Sequence, residues 1–159
     1  MDRFASARSF HAEMTLDGAQ SLRQSLDFVA PDRYRIVLPA GPQVIVGGTL
    51  YLQAAGRTNR VPVEDTMLTQ WRDPLQLRAA REHLWVQPQG QDSVDGQSAE
   101  KYRVVSGDST RPVAFEYWIG ADGRPLRLRH QGQGQAGPYT MTMAYTRFDD
   151  STIRVDVPH

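Results

Sequence analysis

The chain has 159 residues, 40% of them hydrophobic, and balances 18 lysines and arginines against 18 aspartates and glutamates. That length suits a single domain, residues 1–159, with one core large enough to enclose a cavity, and leaves no room for a second module of ordinary size. A formal net charge of zero supplies no overall field toward nucleic acid, and the lack of cysteine excludes disulfides, thiolate metal sites and cysteine nucleophiles.

Met1-Asp2-Arg3 and the residues after it lack the apolar core of a signal peptide, and no apolar run reaches the ~20 residues of a membrane-spanning helix. "RFASARSF" is compatible with a short helix. From Phe10 to Leu16 the apolar residues fall at every second position (Phe10, Ala12, Met14, Leu16), the period of a strand with one buried face. After a turn at Asp17-Gly18, Leu22, Gln24, Leu26 and Phe28 share a face opposite Ser21, Arg23, Ser25 and Asp27. In "PDRYRIVLPAGPQVIV", Tyr34, Ile36 and Leu38 oppose Arg33, Arg35 and Val37, so the arginines form the wet side of a strand. Pro39-Ala40-Gly41-Pro42 turns the chain into a second strand from Gln43 to Val46, and Gly47-Gly48 into a third from Thr49 to Ala54.

The middle differs in kind. "VEDTMLTQW" carries Met67, Leu68 and Trp71 at helical spacing, and "DPLQLRAAREHL" offers Asp73 as an N-cap, Pro74 at the first helical position and Gln76 three residues after the cap. Two short helices bending at Asp73-Pro74 are predicted. Alternation then resumes, with turns at Asp95-Gly96, Gly107-Asp108 and Asp122-Gly123 separating "AEKYRVVSG", "RPVAFEYWIG" and "RPLRLRHQG"; Asp122-Gly123 is the strongest hairpin signal in the chain. "QGQGQAGP" reads as a loop. "YTMTMAYTRF" sets Met141, Met143 and Tyr145 against Thr140, Thr142 and Ala144, and "TIRVDVP" alternates Ile153, Val155 and Val157 as a closing strand. About eight or nine strands interrupted once by helices predict an α+β fold, a barrel-like or strongly curved sheet with the helices available to plug one end.

Motifs of catalysis are lacking. His11, His83, His130 and His159 lie in unrelated elements without ligand spacing, and there is no phosphate-binding glycine loop, GxSxG elbow or dinucleotide fingerprint. "GDST", Gly107 to Thr110, reads as a turn. Arg103, Arg111, Arg124, Arg127, Arg129 and His130 read as a solvated strand face opposite Leu126 and Leu128. No catalytic residue, cofactor or metal is expected. Phe28, Tyr34, Phe115, Tyr117, Tyr139 and Tyr145 fit either an ordinary core or a ligand cavity, and Met141 and Met143, flexible thioethers, suit both.

Taken in order, "ARSFHAEMTLDG", "LDFVAPDRYRIVL", "QVIVGGTLYLQ", "EDTML", "RDPLQL", "FEYWIGADGRPLRLR" and "YTMTMAYTRFDDSTIRVDVP" resemble the LolA/LolB-like family of periplasmic lipoprotein carriers and related lipid-binding proteins. The resemblance implies an incomplete, strongly curved antiparallel β-barrel with a helical lid and a hydrophobic cavity for acyl chains. It places Tyr34, three residues after the proline, on the cavity wall with Ile36 and Leu38. The inward-facing candidates that join them are Met14, Leu26, Phe28, Ile45, Leu50, Leu52, Phe115, Tyr117, Met141, Met143 and Tyr145, with Met67, Leu68, Trp71 and Leu75 on the lid. Ala30 stands where the lipoprotein carrier has an arginine, and Ala40-Gly41 tips the loop that carries a large apolar residue in the membrane-anchored acceptor. The implied role is non-catalytic: a monomer that takes a lipid or lipoprotein acyl chain from an inner-membrane donor to an outer-membrane acceptor, with transient membrane-protein contact and no nucleic acid. The implied location is the periplasm, reached with a signal peptide preceding the present sequence. The alternatives are an enzyme or accessory protein acting on a hydrophobic biosynthetic intermediate, and an envelope interaction or sensor module.

Overall fold

A computed structural model of the chain describes residues 2–64, 68, 83–107 and 112–158. The described elements are α1 (Asp2–Ala5), β1 (Ser9–Asp17), β2 (Leu22–Val29), β3 (Arg33–Leu38), β4 (Gly41–Val46), β5 (Thr49–Ala54), β6 (Arg57–Pro62), β7 (Leu84–Val94), β8 (Gln97–Ser106), β9 (Val113–Gly120), β10 (Pro125–Gly134) and β11 (Gly137–Thr146). The strands form one 11-stranded antiparallel sheet in the order β6-β5-β4-β3-β2-β1-β11-β10-β9-β8-β7. Its chain-neighbour hairpins are joined in the middle by one distant pairing, β1 with β11, where Ala12 faces Tyr145 and Met14 faces Met143.

Alternation along each strand sorts the side chains into two faces. One face carries Phe10, Ala12, Leu26, Phe28, Tyr34, Ile45, Val104, Phe115, Tyr117, Leu128, Met143 and Tyr145, all buried in a single cluster with Phe4, Ala7 and Leu68. Half-buried Leu50 of β5 and Leu84 of β7 pack against that same cluster although they lie toward opposite ends of the strand order. The sheet is therefore open and curved, and this face is the inside of the curve. A smaller cluster, Val94, Ala99, Trp118 and Leu126, sits on the other face.

The tight turns follow backbone chemistry. Gly47-Gly48 and Asp95-Gly96 both take two successive positive φ angles (58° and 72°, 50° and 82°), as two-residue hairpin loops require. Ala55-Gly56 does the same (50° and 72°), although alanine is poorly suited to the left-handed region. That atypical turn, and the nearly all-exposed residues of β6, conceal a hairpin where the sequence predicts only β5.

Four further expectations need correction. "QGQGQAGP" is not a loop: it forms the end of β10 and the start of β11, with Gly134 facing Gly137. A Cβ built on Gly132 would lie 2.5 Å from the Tyr139 ring, so glycine there lets the tyrosine cross the neighbouring strand. Leu126 does not share a face with Leu128, because the register shifts between Pro125 and Arg127 and turns Leu126 toward Trp118. His130 leaves the basic face and stands on the inner one, opposite Met141 and Phe115. Residues 153–157 form no sheet strand; Ile153 and Val155 are buried nonetheless, and Arg33 Nη1 donates to Val155 O at 2.9 Å. The expected helical lid is also not part of the described fold, whose one full helix is α1. The predicted helices about Asp73-Pro74, with Met67, Trp71 and Leu75, lie outside the described residues.

The turn after β11 fastens one end of the sheet. Asp149 Oδ1 accepts from the Arg8 backbone N–H at 2.7 Å and pairs with Arg124, while Ser9 Oγ donates to Asp150 O at 3.0 Å. Asp150 accepts from the Thr152 hydroxyl at 2.6 Å, the Thr152 backbone N–H at 2.8 Å and Arg147 Nε at 2.8 Å. These bonds, those of Thr152 foremost, lower the Asp150 carboxyl from 3.8 to about 2. The Arg8 backbone N–H, then Arg124, lower that of Asp149. A carboxylate whose folded pKa is depressed stabilises fully above its unfolded value and loses that contribution as pH falls through the folded value. Stability should therefore decline from near 3.8 down to about 2 partly through Asp150, and Asp150→Asn should flatten this part of the profile. Urea midpoints measured across that range check it; an unchanged acid slope in the variant would refute the assignment.

Candidate functional site

The inner face is built as rows of cross-strand neighbours. In one row Phe10 faces Phe28, Phe28 faces Tyr34, Tyr34 faces Ile45, Ile45 faces Leu50 and Leu50 faces Val61. In a second, Met14 faces Met143, Met143 faces Leu128, Leu128 faces Tyr117 and Tyr117 faces Tyr102. In a third, Met141 faces His130, His130 faces Phe115, Phe115 faces Val104 and Val104 faces Val86. Directly opposed pairs have Cβ atoms about 5 Å apart, so the first two rows form continuous strips of apolar and aromatic side chains, and the third is interrupted by His130.

One end of this face is sealed by aromatic rings. Phe10 lies 5.2 Å from Phe4, 5.1 Å from Phe28 and 5.9 Å from Tyr145 between ring centroids, Phe4 lies 4.9 Å from Tyr145, and Phe28 lies 5.1 Å from Tyr34. Phe148 closes the group at 6.0 Å from both Phe4 and Phe10. Tilted and edge-on pairs at such distances contribute about 0.5–1.5 kcal/mol each beyond burial. Away from this seal the face carries Met14, Ile36, Leu38, Leu50, Leu52 and Met141, all half-buried.

The sequence-derived cavity candidates thus share one face, yet divide into two kinds. Leu26, Phe28, Tyr34, Ile45, Phe115, Tyr117, Met143 and Tyr145 are buried in the packed cluster, and Met14, Ile36, Leu38, Leu50, Leu52 and Met141 keep accessible surface. Only the second group presents surface to another molecule. Leu68, alone among the lid candidates in being described, is buried in the same cluster. The candidate set omits Phe10, Ala12, Val104 and Leu128, whose alternation was legible, and Phe4 and Phe148, which lie outside the strands and carry no periodic signal.

Polar groups on this face are few, among them Glu100, which faces Ile119 and accepts from Gln91 Nε2. Gln24 Nε2 donates to Met14 Sδ at 3.4 Å, and His130 Nδ1 lies 2.9 Å from Ala114 O with its ring edge-on to Tyr139. Among the described residues no group of three or more histidines, aspartates or glutamates is placed to hold a metal. The outer face instead carries an ion pair of Lys101 Nζ with Glu116 at 2.6 Å and a hydrogen bond between His11 Nδ1 and Asp27 Oδ1 at 2.7 Å. Trp118 Nε1 there donates to Asp92 Oδ2 at 2.8 Å and, as the leading cause, lowers that carboxyl's pKa. Such a partition leaves the inner face equipped for adaptable apolar contact.

The division between packed and accessible residues is measurable. Phe28→Ala should cost about 3–5 kcal/mol by opening a cavity in the ring cluster, whereas half-buried Met141→Ala should cost less than half as much. Urea denaturation of the two variants compares them; equal losses would place Met141 in the packed core.

No family model matches the sequence, and no curated protein is significantly similar to it. Solved structures are similar in fold. The Mycobacterium tuberculosis lipoprotein LppX superposes with a TM-score of 0.68 at 14% identity, over 98% of this chain and 93% of that one. MucB superposes with a TM-score of 0.54 at 18% identity over 98% of this chain, which spans only 58% of MucB. At these identities the likeness is one of architecture: the chain has the LolA-like fold, an open, curved antiparallel sheet.

Proposed function

We propose that the protein is a non-catalytic binder of a lipid or lipoprotein acyl chain in the cell envelope, holding the chain against the inner face of the sheet. The observation that carries this reading is the strip of accessible apolar side chains, Met14, Ile36, Leu38, Leu50, Leu52 and Met141, set on a rigid aromatic-sealed scaffold. The fold shared with the lipoprotein LppX supports it. Acyl chains need no polar recognition. About ten methylenes at ~0.8 kcal/mol each give ~8 kcal/mol, the free energy of micromolar binding before ordering costs. Transfer between a membrane donor and an acceptor, in the periplasm, would use the same face.

A fluorescent fatty-acyl probe should bind the purified protein with micromolar affinity or better. Ile36→Trp and Met141→Trp, which fill accessible space without adding charge, should weaken uptake at least tenfold while preserving the circular dichroism spectrum. A folded wild-type protein that takes up no probe would sink this reading.

A further inference from the structure

We infer that the outer face of the sheet at β7–β10 is a docking surface for a bilayer rich in anionic phospholipid headgroups, separate from the inner apolar face. A groove of about 400 Å³ crosses this outer face, lined in part by Gln89, Arg103, Ala114, Glu116, Arg129 and Gln131. Register sets the charges side by side: Arg103 faces Glu116, and Glu116 faces Arg129. Glu116 holds Lys101 at 2.6 Å and Arg129 only at 3.7 Å. Arg103 has no ion pair among the described residues. Among the groove-lining residues Glu116 is the one carboxylate, set between Arg103 and Arg129, while Lys101 beside the groove is shared between Glu116 and Asp92; the lining therefore keeps a local positive excess in a protein of zero formal net charge. Two guanidinium forks flanking a groove are suited to phosphate oxygens, which they engage in paired hydrogen bonds.

A second, independent feature points to a membrane rather than a dissolved ion. Trp85, 59% exposed, faces Val105 on the same side of the sheet, and Val105 faces Ala114 in the groove. Gln87, two residues on, faces Arg103, so Trp85 is a diagonal neighbour of that arginine at roughly 7–8 Å. An exposed indole beside arginines matches the interfacial layer of a bilayer, where tryptophan settles at headgroup depth and basic side chains are drawn to anionic lipid. A soluble phosphate would engage the arginines and leave Trp85 without a role.

The test is flotation of the full chain with vesicles of phosphatidylcholine alone and of phosphatidylcholine mixed with phosphatidylglycerol. Binding should require phosphatidylglycerol, fall as salt screens the surface, and drop about tenfold or more in the Arg103→Gln, Arg129→Gln double variant. Trp85→Ala should weaken it without changing charge, and the emission that Trp85→Phe removes should shift to the blue on binding. All these side chains are exposed or half-buried, so circular dichroism and acyl-probe uptake in lipid-free buffer should match wild type, which separates failure here from failure of the inner-face reading. Equal flotation with both vesicles, an unaltered double variant, complete competition by inorganic phosphate, or self-association abolished by Trp85→Ala would each overturn the proposal.

Discussion

Phe10 stands where the two halves of the sheet are sewn together. It lies on β1, with β2 to β6 on one side and β11 to β7 on the other, and its fully buried ring meets Phe4, Phe28, Tyr145 and Phe148. The β1–β11 pairing joins residues more than a hundred positions apart, so closing it costs chain entropy that local hairpins do not incur. The ring cluster supplies a concentrated offset at that junction. With β1 held in register, alternation propagates outward from both sides and every later strand inherits which face is apolar.

From that constraint comes the separation of chemistries. Carboxylates, arginines and histidine pair across the outer face, where water can share the cost of their charge, while the inner face keeps methionines, leucines and isoleucine with little polar interruption. The same scaffold is thus rigid where the rings meet and adaptable where thioethers line the surface. That combination is the physical basis for reading the inner face as a place for flexible apolar cargo.

Much of this was legible in the sequence because period-two alternation survives in strands with one wet face. Phe10 to Leu16, Leu22 to Phe28 and Tyr34 to Leu38 declare their inner sides directly, and glycine-bearing turns mark the hairpins. What escaped did so for identifiable reasons. β6 has almost no buried side to alternate with, and its turn begins with Ala55 rather than a residue at home at positive φ. Composition made residues 131–138 look like a loop, but pairing with β11 and the passage of Tyr139 over Gly132 hold them in the sheet. One extra residue at the β10 bulge reassigned Leu126 to the opposite face, and nothing local in "RPLRLRHQG" announces it. At the site itself, alternation identified the right face without separating fully packed residues from accessible ones, since that distinction depends on rings contributed by Phe4 and Phe148 from outside the strands.

An open curved sheet leaves two margins, β6 and β7, that have no further strand beside them among the described residues, a standing invitation to strand-by-strand aggregation. β6 meets this by being short and carrying Arg57, Arg60 and Pro62. The longer β7 carries Pro88, which has no N–H to donate, and Gly90 at φ 96°, with a register shift between them. Its free margin is thereby broken into two short runs that a straight incoming strand fits poorly. The sheet can stay open, since the backbone along these margins is a bad template for more sheet.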